Sequence, residues 1–346
     1  MRKMLIGILV FMMLAVPVSA MEFTAPPAPD GVEQYMPEDQ ESFAEGLLYI
    51  IKSAISQYLP DLSNSFKICL SLIATVLLMR ILSSLSENSA GSIRLTGSVI
   101  IGLLLLQPVN SMIRLGAQTV TAMSEYGKML LPVMTAAVAA QGGTSTSAAI
   151  YTGTVFFNML LTSVISNIII PAVFIYLCLS VASSALEQDV LKKIRDGVKW
   201  GMTWCLKLIL YLFTGYIGIT GVISGTVDAA ALKAAKLTIS GMVPVVGGIL
   251  SDASETILVS AGLMKNSAGV YGIFAILALC VGPFLQIGIP YLLLKVTTAV
   301  CSVFGYKPAV MLIQDFSTAM GMVLAMTGTV CMLLLISLVC FMKGMG

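Results

Sequence analysis

Six tracts of this sequence are too long and too apolar to be held in water, and they decide what the chain can fold into. Four of them, residues 64–84, 95–115, 201–222 and 318–342, match the roughly 20 apolar residues that one helix needs to cross a bilayer. Two more, 148–185 and 268–304, hold about 38 residues each, enough for two tightly joined helices or one long kinked one. Hydrocarbon offers no partner to backbone N–H and C=O groups, so tracts of this kind are read as helices. Charged residues make up only 10% of the 346, against roughly 25% in a soluble domain. The expected fold class is therefore an all-α polytopic membrane protein.

The first residues, "MRKMLIGILVFMMLAVPVSAM", combine a basic start (Arg2, Lys3), an apolar core and small residues at Val18 and Ala20. This is the pattern of a secretory signal peptide over residues 1–20, with cleavage expected after Ala20. Cut or retained as an anchor, it delivers the next segment to the outer side. Residues 21–62 carry eight of the 17 acids against one base, Lys52. Pro26, Pro27, Pro29 and Pro37 make its start an acidic extended linker, and an amphipathic helix is expected over Phe43–Tyr58. Residues 63–346 form the transmembrane domain.

Basic residues fall between the spans. Arg80 and Arg94 flank the first short loop, "EQDVLKKIRDGVKW" reads as a second loop holding Lys192, Lys193, Arg195 and Lys199, and Lys295 and Lys307 bracket a third. The positive-inside rule places all three on the cytoplasmic side. With the N-terminus outside, the count closes at six to nine crossings. It closes either if each 38-residue tract crosses once or if "LLPVMTAAVAAQGG" and "MVPVVGGIL" are short Pro/Gly-broken or re-entrant crossings. These two runs start at Pro132 and Pro244, which are 112 positions apart, as are Pro171 and Pro283. The shared offset suggests two parallel repeats, 70–185 and 186–304, followed by a C-terminal helix at 318–342. Coincidence between prolines in apolar sequence is the alternative account.

The segment 226–255, "TVDAAALKAAKLTISGMVPVVGGILSDASE", interrupts this pattern. Asp228 suits the positive end of a helix dipole, and Lys233 and Lys236 share one face of a helix lying at the membrane surface. The run that follows, with Pro244, Gly247 and Gly248 and then Asp252, is too short to cross as a regular helix. Irregular backbone cannot face lipid, so this run is buried among helices or lines a wet cavity. A tight elbow at the interface satisfies the same constraint without any transport role. Gly221 and Gly225 stand in G-x-x-x-G spacing, which lets a second helix approach closely. Asn158, Asn167, Gln107 and Gln286, inside apolar tracts, read as helix-to-helix hydrogen-bonding groups.

Catalysis has little to stand on. The chain contains no histidine, which removes zinc sites of the H-E-x-x-H type and serine–histidine dyads. No phosphate-cradling G-x-x-x-x-G-K-[ST] loop is present. Asp228, Asp252 and Asp315 fall near expected helix ends or loops, where paired-aspartate chemistry has no place. The seven cysteines lie in apolar tracts and read as small core residues. No catalytic, cofactor or metal-binding residue is expected, and no enzyme.

The stretch "TVDAAALKAAKLTISGMVPVVGGILSDASETILVSAG" closely resembles the most characteristic segment of the stage III sporulation protein AE family of endospore-forming bacteria. Val227-Asp228, Ala235-Lys236, Pro244-Val245-Val246-Gly247 and Asp252-Ala253 carry the likeness. Ala229 departs from it, standing where the family usually has glycine, so a backbone turn at that point is not implied here. The resemblance extends to the signal peptide, the acidic segment and the order of apolar runs. It implies a membrane subunit of a secretion-like channel complex linking mother cell and forespore, in a scaffold or pore-forming role. The implied partners are co-encoded stage III sporulation proteins, including a cytoplasmic ATPase and ring-forming single-span proteins, together with membrane lipid and no nucleic acid. The implied location is the mother-cell-derived outer forespore membrane. The alternative from another class is a stand-alone secondary transporter for a small solute, whose signature would be an ion-coupling acid deep in a span.

Overall fold

The computed structural model describes residues 26–28, 32–36, 43–85, 90–140, 144–219 and 267–344. The helices are α1 (Phe43–Leu85), α2 (Ala90–Ala140), α3 (Thr144–Val164), α4 (Ile170–Leu186), α5 (Asp189–Ile219), α6 (Ser267–Val303) and α7 (Lys307–Gly344). A 3-10 turn, Glu33–Tyr35, precedes them, and a π-helical turn, Ile165–Ile169, joins α3 to α4. No strand occurs among the described residues. Among the described residues, six helical rods are long and apolar enough to cross a membrane.

Both long tracts resolve into single rods. In the first, Pro171 lacks an N–H and its ring crowds the carbonyl four residues back, the usual cause of a kink. The π turn absorbs that misfit one step earlier, where the Ile170 N–H reaches the Ile165 carbonyl. The second tract is α6, which runs unbroken with Pro283 and Pro290 inside it. The helices bearing Pro171 and Pro283 run in the same direction, since the end of α4 at Ser184 meets Pro308, just past the end of α6.

Other boundaries differ from expectation. "LLPVMTAAVAAQGG" is no separate thin crossing: its residues through Ala140 are the last turns of α2, a 51-residue helix with Pro108 and Pro132 in its interior. At 1.5 Å per residue this helix is about 76 Å long, more than twice the hydrocarbon thickness. Arg114, Glu125 and Lys128 are exposed on its second half, which therefore stands beyond the hydrocarbon. The amphipathic helix expected over Phe43–Tyr58 is present but continues without a break into the first span. "EQDVLKKIRDGVKW" is not a loop either, since only Glu187 and Gln188 separate α4 from α5. The last span begins at Lys307 rather than 318, which puts Asp315 inside it.

Helix α7 is the axis of the bundle. It packs against α2, α3, α4, α5 and α6, while α1 lies at the edge against α6 and α2. Of the most apolar stretch of α7, 83% is buried, against 22% for α1. The reason is visible in its sequence, which is apolar on every face over Met320–Phe341, as a helix enclosed by others must be. Polar pegs fix its register: Thr154 and Ser337 hydroxyls meet at 2.7 Å. Asn158 donates to Ser124 Oγ at 3.2 Å, joining α3 to α2 as its sequence context predicts. Asn167 instead donates to Ser163 on its own helix, and Gln107 is exposed.

Part of the acidic N-terminal segment is docked rather than extended. The Ala28 N–H donates to the Tyr271 hydroxyl at 3.2 Å, and Tyr35 donates to the Gln57 carboxamide. Val32, Tyr35 and Met36 join the core. Burial pushes the Tyr35 phenol above its ordinary pKa, partly offset by a hydrogen bond with Gln34. The expected signal peptide, residues 1–20, lies outside the described residues.

Candidate functional site

The start of α2 and two short junctions, α4–α5 and α6–α7, come together at one end of the bundle. Each junction has a local cause. Helix α4 stops because Glu187 turns left-handed, at φ 55°, and its N–H closes on the Ser183 carbonyl at 3.0 Å. Helix α6 stops before Gly305, whose φ of 71° is the conformation only glycine adopts without strain. Helix α7 starts at once with Lys307-Pro308, proline being pre-shaped for a first turn and having no N–H to leave unpaired.

Small polar side chains and one ion pair lace these ends together. Arg94 in the second turn of α2 reaches Glu187 Oε2 at 2.5 Å and the Ala185 carbonyl at 3.3 Å. The left-handed residue is thus also the acid that ties α2 to α4. Ser98 and Ser184 hydroxyls meet at 2.9 Å, and Ser184 bonds the Pro308 carbonyl at 3.0 Å. Tyr306, in the α6–α7 turn, sits beside Arg94 and Glu187. Burial raises its phenol pKa, with the Arg94 charge opposing and the Glu187 charge adding.

Beneath these contacts lies a buried charged triad. Arg195 Nη1 on α5 reaches Asp315 Oδ2 on α7 at 2.5 Å, with side chains only 15% and 12% exposed. Tyr176 on α4 donates to the other carboxylate oxygen at 3.1 Å. Both Asp315 oxygens are therefore satisfied from separate helices. The remaining edge of the guanidinium faces Asp196, through Nε at 3.1 Å and Nη2 at 3.0 Å. An ion pair so removed from water holds its charge only while both members are present. A cavity of about 260 Å³ adjoins the triad, lined by Glu187, Lys192, Arg195, Lys307, Met311 and Asp315 among others.

The residues singled out from the sequence are not brought to this place. Pro132 is exposed in the continuous helix α2, far along from the junctions. Gly221, Gly225, Asp228, Lys233, Lys236, Pro244, Gly247, Gly248 and Asp252 lie outside the described residues. The triad itself was legible in one respect only. Pro308 directly after Lys307 is a helix-start signal, and extending the last helix back to it would have set Asp315 inside a span.

Comparison with known proteins gives the family. The sequence profile of the Stage III sporulation protein AE family (spore_III_AE) matches residues 32–344, from the docked N-terminal strap to the last residue of α7. Among curated proteins, the Stage III sporulation protein AE of Bacillus subtilis (strain 168) is 23% identical over 265 residues, 75% of this chain. The match spans 66% of that relative's length, just under two thirds. No solved structure matches. With the profile covering every described crossing helix and both sides of the charged junction, this chain belongs to the Stage III sporulation protein AE family of sporulation proteins.

Proposed function

We propose that this chain is the polytopic membrane subunit of a secretion-like channel complex linking mother cell and forespore during endospore formation, and that it acts there as a scaffold. Family membership supports the sporulation role. The observation that carries the scaffold role is the position of α7, whose packed apolar side chains fill the bundle axis. A conduit for cargo has no room along that axis among the described residues. The passage would then run between subunits, with this chain holding their helices in place.

The junction end, rich in Arg and Lys, takes the cytoplasmic side under the positive-inside rule. There it would meet the co-encoded cytoplasmic ATPase, since this chain has no phosphate-cradling loop of its own. The far halves of α1 and α2 would face the space between the two membranes, toward ring-forming single-span partners. The outer forespore membrane is the location this reading requires. Purification from sporulating cells under mild detergent tests it: stage III partners should co-elute with the chain. Elution alone, from cells in which the partners are made, would sink the proposal.

One observation favours a second reading. Asp315 is an ionisable acid buried among the helices at the junction end of the last span, the nearest approach among the described residues to the ion-coupling acid a stand-alone secondary transporter would carry. Its pairing with Arg195 argues for a fixed structural charge instead. Liposomes holding only this chain decide between them. Ion-driven solute uptake that disappears in Asp315→Asn would establish the transporter.

A further inference from the structure

We infer that the cavity at the junction end binds the phosphate headgroup of an anionic membrane lipid. The inference concerns the isolated chain and does not rest on the channel-complex reading.

The depth of the cavity in the membrane comes first. The chain has two tryptophans, Trp200 and Trp204, and both lie exposed on α5, their rings stacked at 6.1 Å. Tryptophan favours the boundary between headgroups and hydrocarbon. From Trp200 to Ile219 the helix is about 30 Å long, one hydrocarbon thickness. Lys192 and Arg195 stand one to two turns beyond Trp200, in the headgroup layer. The Arg195–Asp315 contact ties the first turns of α7 to this end of α5, and Lys307 lines the same cavity as Lys192 and Arg195.

The charges of the cavity come second. Three basic side chains line it, Lys192, Arg195 and Lys307, against two acids, Glu187 and Asp315. The acids are spoken for: Asp315 holds Arg195 and Tyr176, and Glu187 holds Arg94. Arg195 is in turn occupied by Asp315 and Asp196. Lys192 pairs with Asp189, which is 85% exposed, a contact that water and salt weaken. No acid among the described residues lies within ion-pair distance of Lys307. Two lysines thus face the cavity with charge to give. Basic pockets between membrane helices at this level are suited to lipid headgroups.

The wall that separates a lipid from a free phosphate ion is apolar. Pro308 and Met311 line the cavity, and Met311 is half exposed beside it. Leu186 and Ile194, next in sequence to the lining residues Glu187 and Arg195, are exposed on α4 and α5. An acyl chain can lie along such side chains, whereas inorganic phosphate gains nothing from them. The volume, about 260 Å³, admits a phosphate with part of its glycerol.

The full chain in phosphatidylcholine nanodiscs, doped with spin-labelled phosphatidylglycerol, provides the test. Lys307→Gln should weaken retention of the labelled lipid about fivefold, the effect of about 1 kcal/mol for one basic group at an anionic surface. Lys192→Gln with Lys307→Gln should weaken it further, and Lys307→Arg should retain it. Lys128→Gln, at the far end of α2, should leave it unchanged. Equal retention in wild type and Lys307→Gln overturns the proposal, as does an equal loss in Lys128→Gln. Circular dichroism confirms that each variant is folded. In a parallel arm, inorganic phosphate that binds where phosphatidylglycerol does not would overturn the lipid assignment.

Discussion

Thr154 and Ser337 stand 183 positions apart in the chain, yet their hydroxyl oxygens lie 2.7 Å from each other inside the bundle. The contact pins the far third of α7 to α3, and both residues are fully buried. Hydroxyls this close place the two Cβ atoms in the range a disulfide spans. In a chain whose seven native cysteines have been replaced, Thr154→Cys with Ser337→Cys should therefore cross-link under mild oxidation. Cutting at a protease site inserted between 220 and 266 would leave two fragments that separate only on reduction. Fragments that separate without reductant would remove α7 from the axis.

Gly153 lies where a side chain has no room. A Cβ there would overlap the ring of Tyr216 on α5. The ring cannot swing aside freely, because its hydroxyl bonds the Ala149 carbonyl at 2.9 Å. Gly153→Val should lower stability by about 1–3 kcal/mol, the usual range for overpacking. Gly197 on the same α5 has nothing within 4 Å of its added Cβ, so Gly197→Ala should be neutral or slightly stabilising. Thermal unfolding of both variants in one detergent checks the contrast. Equal shifts would place Tyr216 elsewhere.

What the sequence discloses and what it hides follow from the same physics. A bilayer demands about 20 apolar residues per crossing, so the cores of all six rods are visible as hydropathy. It makes no such demand on turns that leave the hydrocarbon. The first turns of α5 therefore look like a loop in "EQDVLKKIRDGVKW", although Leu191, Val198 and Met202 already mark an inward stripe. Pro132 misleads for a related reason: proline usually ends a helix in water, yet α2 continues through it and through Pro108. Asp315 stays hidden because apolarity alone starts the last helix at 318. Its partner Arg195 sits 120 positions away, and no local pattern joins the two.

That pairing makes a quantitative prediction. Arg195→Gln strands a buried carboxylate, and Asp315→Asn leaves a guanidinium with only Asp196. Removing one member of a buried pair costs about 3–5 kcal/mol. The double variant Arg195→Gln, Asp315→Asn replaces the pair with two neutral amides that can bond each other and Tyr176. It should cost no more than either single variant, giving a coupling of about 3 kcal/mol or more in a double-mutant cycle. Tyr176→Phe should cost about 1.5 kcal/mol, because one hydrogen bond to a charged oxygen goes. Additive losses across the cycle would show that the two charges do not sense each other.

The tryptophan stack provides a direct measure of where the bilayer ends. Because Trp200 and Trp204 are the only two in the sequence, intrinsic fluorescence reports this one level. Both rings are more than half exposed, so lipid-borne quenchers can reach them. A nitroxide near the carbonyl end of the acyl chain should quench the emission more than one near its methyl end. The opposite order would sink α5 by two turns or more. Lys192, Lys193, Arg195 and Lys199 would then be drawn toward hydrocarbon, where such a charge costs up to about 2.5–3.5 kcal/mol at the centre on insertion scales. Four such residues on one helix make that placement untenable unless they faced a wet space. Shallow quenching is therefore the result that the charge pattern, the length of α5 and the junction cavity all require.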